Sequence, residues 1–232
     1  MALIELFHGS NHIIEKPDLR LGKINNDYGR GFYCTKELSM AKEWACKQNT
    51  DGFANRYRLQ TDGLQTLNLL DGNHNILNWM ALLLKNRTFR LSSEIAVDAR
   101  NYIIDNFLID LDGFDIVVGY RADDSYFSFA EAFVQNSLPL RSLNLALKLG
   151  RLGEQTVLVS EKAFDNLVFT GADPVERKIF YPKFTSRDSA ARDTYRQEVR
   201  GNKTYRDDIF VMDIIREGMR NDDPRIQRIV SE

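Results

Sequence analysis

Phe7-His8-Gly9-Ser10 and Asp27-Tyr28-Gly29-Arg30-Gly31-Phe32-Tyr33-Cys34-Thr35 are the two stretches of sequence that decide the fold of this chain. The apolar residues before His8 predict a short strand, and Phe32 and Tyr33 predict a second one. A helix is indicated next, because apolar residues recur at helical spacing, at Leu38, Ala41, Trp44 and Ala45. The pattern therefore predicts neighbouring strands that present a His-Gly pair and a tyrosine together, backed by a helix.

The remainder of the chain alternates between strand and helix patterns. Residues 53–70 predict two short strands broken at 61–63, and residues 75–85 and 93–107 predict a helical insertion. Residues 115–119 and 155–160 predict further strands, with a helix over 138–149 between them. Mixed strands with segregated helices favour the α+β class. Charged helical segments after Pro174 predict a domain over residues 1–172 and a helical C-terminal extension over residues 173–232.

Composition narrows the class of protein. The chain has 232 residues, of which 43% are hydrophobic, and a formal net charge of -2. Such a balance gives no global field for nucleic acid or an anionic membrane. The apolar run over residues 79–84 is far shorter than the roughly 20 residues that cross a bilayer. No secretory signal is readable, so we expect a cytoplasmic protein without a membrane partner.

Each candidate residue has two interpretations when taken singly. His8 fits a ligand for a substrate hydroxyl or a polar residue at a strand end, and Tyr33 fits a stacking platform or a core aromatic. Gly9 would let a ligand approach the backbone closely. Asp123 and Asp124 either line a pocket or cap a turn. The three histidines and two cysteines lack the spacing of a metal site, so no metal is expected.

The motifs taken in order resemble a known superfamily. They are the two opening stretches, the helix around Trp44, residues 115–124 (Asp-Ile-Val-Val-Gly-Tyr-Arg-Ala-Asp-Asp) and residues 155–163 (Gln-Thr-Val-Leu-Val-Ser-Glu-Lys-Ala). Together they resemble a bacterial family that is similar to the His-Tyr-Glu branch of the ADP-ribosyltransferases, which includes diphtheria toxin and the poly(ADP-ribose) polymerases. The resemblance covers roughly residues 3–170. It implies a split β-sandwich of two small mixed sheets that meet at an NAD-binding cleft.

The resemblance also implies roles for individual residues. His8 would bond an NAD ribose hydroxyl, Gly9 would pair with the nicotinamide amide, and Tyr33 would stack on the nicotinamide ring. The superfamily's third residue is a glutamate at the head of a late strand, and the matching position here is Gln155. A neutral amide can orient the ribose hydroxyl but cannot offset the positive charge of an oxocarbenium-like centre. The neighbouring Glu154 should face the opposite side of the strand. Three further residues complete the expected cofactor site: Ser10, Arg30 and Gly31.

The function implied is that of an NAD-dependent mono-ADP-ribosyltransferase, an enzyme of the glycosyltransferase type, with NAD as co-substrate and no metal. Its acceptor would be a protein or a nucleic acid, and a toxin or phage-defence role would allow a small neutralising partner protein. A catalytically silent NAD- or nucleotide-binding interaction module is the alternative. The segment 173–232 would either pack on its own domain or shape an interaction surface.

Overall fold

A computed structural model describes residues 2–122, 124–149, 153–200 and 205–231. The chain forms two units that are interleaved in sequence. The first unit comprises Met1–Leu70, Leu111–Arg121 and Gly153–Arg187. The second comprises Asp71–Asp110, Ala122–Leu152 and Asp188–Glu232. All of the strands described lie in the first unit, so the strand-borne candidate residues belong to one unit.

The first sheet has three strands in the order β1-β3-β7, formed by Leu3–Ser10, Gly52–Gln60 and Leu167–Val175. Both pairs of neighbours are antiparallel, and the register between β3 and β7 shifts between Arg56 and Tyr57. The sequence did not predict β7, which crosses the domain boundary expected after Ala172. The sheet is also not mixed, in contrast to the expectation of two mixed sheets.

The second sheet has four strands in the order β2-β6-β5-β4, formed by Phe32–Cys34, Glu154–Leu158, Ile116–Tyr120 and Thr66–Asn68. It is mixed, because β4 and β5 are parallel whereas the other pairs are antiparallel. The hydrophobic core of the first unit includes Leu6, Phe32, Tyr57 and Leu158, which come from strands of both sheets.

Three helices accompany the sheets in the first unit. Helix α1 (Leu38–Ala45) packs on β1 and β3 through Ala41 and Ala45. The short α6 (Glu161–Asp165) follows β6, and α7 (Arg177–Arg200), which belongs to this unit only as far as Arg187, follows β7. Arg187 of α7 makes two hydrogen bonds, of 2.8 and 3.0 Å, to the buried Glu43 carboxylate of α1. Residues as far along the chain as 187 are therefore anchored within this unit.

The second unit is helical in the part that the structure describes. It contains α2 (Ile76–Asn86), α3 (Glu94–Phe107), α4 (Asp124–Val134), α5 (Leu140–Leu149), α8 (Val211–Arg216) and α9 (Pro224–Ser231). The predicted helical insertion is confirmed, and Ser93 caps α3 through the Ala96 N–H. Ile209, Ile226 and Ile229 are buried, so the apolar stripes of the tail pack within their own chain.

The α+β class is thus confirmed, with two small sheets among the described residues. The domain boundary after Ala172 stays a prediction. Asp123 and the Asp124 side chain, the two predicted pocket or cap residues, lie outside the described residues. In the described part of the chain, no helix combines the length and apolarity that a membrane crossing requires.

Candidate functional site

The two sheets meet where β1 passes β2. Phe7 and Thr35 form a bridge there, with N–H to carbonyl distances of 2.8 and 2.9 Å in the two directions. Because backbone polar groups of successive strand residues point to alternate sides, the N–H and C=O of Gly9 point the same way as those of Phe7, away from β3. An extended ligand segment could therefore pair with the Gly9 backbone.

His8 is fixed at this junction by two contacts. Its Nδ1 lies 2.7 Å from the carbonyl oxygen of Tyr33, and its ring stacks on Phe32 with centroids 4.5 Å apart. Burial lowers the pKa of His8 below its ordinary value of 6.5, although the bond to the Tyr33 carbonyl acts in the opposite direction. A carbonyl only accepts, so Nδ1 carries the hydrogen and the neutral ring leaves Nε2 as an acceptor. This tautomer suits a ligand hydroxyl.

Tyr33 is held at its phenolic end. Its hydroxyl accepts a hydrogen bond from the Tyr28 N–H at 3.0 Å and donates one to the Gly29 carbonyl at 2.7 Å. Gly29 has a φ of 77°, a left-handed conformation that glycine adopts readily. The turn over residues 26–29 therefore fixes the tilt of the Tyr33 ring, whose side chain remains half-buried.

Gln155 lies in a buried polar network. Its Nε2 donates to the Asp27 carboxylate at 2.9 Å and to the Tyr120 carbonyl at 3.1 Å. The same carbonyl accepts a hydrogen bond from the Tyr28 hydroxyl at 2.7 Å. A Cβ on Gly119, which pairs with Gln155, would collide with that hydroxyl. The network thus accounts for a glycine in β5.

Tyr33 and Gln155 share one face of the second sheet. Tyr33 pairs with Val157 across β2 and β6, and Gln155 stands two residues from Val157 on the same strand. Side chains alternate along a strand, so both point to one side. Glu154, the preceding residue on β6, is exposed, whereas Gln155 is only 3% exposed. The three residues that follow, Thr156, Val157 and Leu158, are all buried, so exposure does not alternate along β6, and the opposite direction of Glu154 follows from strand geometry alone.

The two glycines predicted at the cofactor site have structural reasons to be glycine. A Cβ on Gly9 would overlap the Ala41 carbonyl oxygen of α1, and a Cβ on Gly31 would overlap Val157 of β6. Both residues allow close packing of neighbouring backbone. The explanation based on ligand approach is thus not needed for Gly9, although its backbone still points outward.

Ser10 and Arg30 are less closely integrated into the junction. The Ser10 hydroxyl donates to the His12 carbonyl at 2.7 Å and accepts from the His12 N–H at 3.1 Å. Arg30 is exposed on the loop before β2. Ser10 follows Gly9 and Arg30 precedes Gly31, so both could contact the edge of a ligand that is bound at the junction.

Three residues near the junction have no role in the site predicted from the sequence. Asp27 is buried against Gln155, and Trp44 of α1 lies against Gly9. The guanidinium of Arg121 stands 4.6 Å from the centre of the Trp44 ring, a cation–π contact. In the sequence, each of these residues is recognisable only as a charged or aromatic residue within a motif, because its partner in the structure lies far away along the chain.

No group of three or more His, Cys, Asp or Glu side chains that could hold a metal ion occurs within the described parts of the chain. Cys34 and Cys46 are buried free thiols, and burial raises the pKa of Cys34. A nucleophilic thiol needs a lowered pKa, so Cys34 is a core residue.

Comparison with known proteins gives one match. A family model described as "Protein of unknown function (DUF3990)" matches residues 4–169. No curated protein and no solved structure matches the chain. The matched range takes in both sheets up to the third residue of β7, including His8, Tyr33 and Gln155.

Proposed function

The chain belongs to the DUF3990 family, and we propose that it is an NAD-dependent mono-ADP-ribosyltransferase built on a split β-sandwich. The observation that carries this proposal is the junction itself. There, the neutral His8 bonds to the backbone of Tyr33, while Tyr33 and Gln155 share a sheet face. In the resemblance, the residues at these positions bind the ribose, the nicotinamide ring and the nicotinamide ribose.

The reaction needs no redox partner. The bond between the nicotinamide nitrogen and ribose C1′ breaks, and its electron pair leaves with nicotinamide, which becomes neutral. A nucleophilic atom of the acceptor forms the new bond to C1′ and releases its proton to solvent. The protein contributes orientation of the two reacting groups and stabilisation of the positive charge that grows on the ribose.

His8, Tyr33 and Gly9 would supply the binding contacts. The Nε2 lone pair of His8 accepts from a ribose hydroxyl, and the Gly9 backbone pairs with the carboxamide of nicotinamide. The Tyr33 ring, fixed by its bonds to residues 28 and 29, offers a flat surface for the pyridinium ring. A rigid platform loses little conformational entropy on binding, which favours a productive pose.

A catalytically silent NAD- or nucleotide-binding module is the second candidate, because Gln155 stands where the superfamily has a carboxylate. Both candidates place a nucleotide at the junction, and only the transferase releases nicotinamide from NAD. The proposal extends to a bacterial toxin or phage-defence role in the cytoplasm, with a protein or nucleic-acid acceptor.

The decisive experiment measures nicotinamide release from NAD by the purified protein, with and without bacterial lysate. We expect release that increases when lysate supplies the acceptor. His8→Ala and Tyr33→Ala should abolish it, whereas His12→Ala, a change at an exposed residue, should not. An NAD-induced thermal shift without any release would favour the silent module, and the absence of both effects would refute the transferase and an NAD-binding module alike.

The acceptor can be identified in the same reaction. NAD labelled in its adenylate part leaves the label on the modified molecule. Separate digestion with protease and with nucleases then tells a protein acceptor from a nucleic-acid acceptor. Label that stays in free ADP-ribose would contradict transfer to a macromolecule.

A further inference from the structure

We propose that Asp27 is a positioning residue for Gln155. Its carboxylate orients the Gln155 amide and, through that amide, supplies the negative charge that a glutamine lacks. This inference rests on the proposed function. It starts from the geometry of a single buried pair, in which the Gln155 Nε2 donates to an Asp27 carboxylate oxygen at 2.9 Å. Asp27 is 6% exposed and Gln155 is 3% exposed, so water screens this contact little.

The network determines which way the amide points. The two acceptors around Nε2 are the Asp27 carboxylate and the Tyr120 carbonyl, and neither can donate a hydrogen bond to an oxygen. The reversed amide would place Oε1 against both of them, which is repulsive. Both N–H groups of Gln155 are therefore used inside the protein, and no hydrogen bond to Oε1 is found among the described residues, so in this proposal Oε1 accepts from a ligand hydroxyl.

The carboxylate also alters the electronic character of that oxygen. An amide whose N–H donates to a buried anion is polarised, and its oxygen becomes a stronger acceptor. With Gln155 on the ribose, the Asp27 carboxylate would stand directly behind the amide that faces the growing positive charge. Because the charge is fixed before the reaction, no reorganisation is needed in the transition state.

Asp27 also connects Gln155 to the ring platform. The residue that follows it, Tyr28, donates its N–H to the Tyr33 hydroxyl and its own hydroxyl to the Tyr120 carbonyl. The short segment of residues 27–29 thus holds the residue that would stack on nicotinamide and the residue that would bind its ribose. A shift of Asp27 would misplace both groups together.

The test exchanges the charge between the two positions. Asp27→Asn keeps an acceptor for Nε2 but removes the charge. We expect kcat for nicotinamide release to fall about 10- to 100-fold while KM for NAD changes less than about 3-fold. Gln155→Glu alone places two carboxylates in contact, so its melting temperature and its kcat should both fall. Glu154→Gln, at the exposed neighbouring position, is the matched control and should change neither quantity.

The double variant Asp27→Asn/Gln155→Glu gives the critical readout. It restores one carboxylate beside one amide, so we expect its melting temperature and its kcat to recover to wild-type levels or above. An Asp27→Asn protein with wild-type kcat, or a double variant no better than Asp27→Asn, would overturn the inference and leave the proposed function intact. A wild-type protein that releases no nicotinamide would overturn both.

Discussion

The hydroxyl of Tyr33 provides a direct test of the junction, through the change Tyr33→Phe. The variant retains the ring and loses two hydrogen bonds, one from the Tyr28 N–H at 3.0 Å and one to the Gly29 carbonyl at 2.7 Å. Each contributes about 1 kcal/mol net, and the buried backbone groups that lose this partner add a desolvation cost. We therefore expect the free energy of unfolding to fall by about 2–3 kcal/mol.

Urea unfolding and thermal melts measure this loss. For a chain of this size, a loss of about 2–3 kcal/mol corresponds to a fall in melting temperature of roughly 4–12 °C. Tyr181→Phe is the matched control, because Tyr181 packs at the edge of an apolar cluster in the same unit and no hydroxyl hydrogen bond is described for it. NAD affinity should fall less in Tyr33→Phe than in Tyr33→Ala, because the stacking surface remains.

The reasoning would be refuted if Tyr33→Phe and Tyr181→Phe lost the same small amount of stability. Such a result would mean that the turn over residues 26–29 holds its shape without the phenol. Tyr33 would then be a ring in a strand, with no role in fixing the loop that carries Asp27.

Three further predictions concern the first unit. Gly9→Ala should cost about 1–3 kcal/mol in urea unfolding, because the new Cβ meets the Ala41 carbonyl oxygen, and an unchanged midpoint would contradict the packing described. Burial lowers the pKa of His8, so as the pH falls through 6.5 this histidine is protonated in the unfolded chain before it is protonated in the folded protein. The free energy of unfolding of the wild type should therefore fall more steeply there than that of His8→Phe, by at most about 1.4 kcal/mol per pH unit. Arg187→Ala should lower the free energy of unfolding by about 2–4 kcal/mol, because it leaves the buried Glu43 carboxylate without the guanidinium. The double variant Glu43→Gln/Arg187→Met should lose less stability. Equal losses would show that the unpaired charge on Glu43 does not cause the destabilisation.

The sequence predicted the parts of the fold that depend on local periodicity. Helix α1 follows from its apolar spacing, and β5 and β6 begin and end within two residues of the strands predicted at 115–119 and 155–160. Strand β7 was missed because Gly171 and Pro174 are typical of turns. In the structure β7 is an edge strand, and an edge strand tolerates a proline because one of its sides has no neighbouring strand to receive an N–H. Gly171 lies opposite Arg56, at the shift in register between β3 and β7.

The candidate site was predictable only where its residues belong to a motif. His8, Gly9 and Tyr33 are close in sequence, so the junction of two strands could be inferred. Asp27 lies within the second motif, but its partner Gln155 is 128 residues away, and a single sequence gives no sign of such a pairing. The same holds for Arg121 and Trp44, whose contact depends on the placement of β5 relative to α1.

The interleaved chain path of the first unit has a consequence for biosynthesis. Strand β3 receives its second neighbour, β7, only after about 110 further residues have been made, which takes roughly 5–20 seconds on the ribosome. Until then the growing chain has an unpaired strand edge, a surface that holdase chaperones bind and that favours aggregation. Gln155 also emerges late, so the buried pair that it forms with Asp27 cannot assemble until β6 has been made.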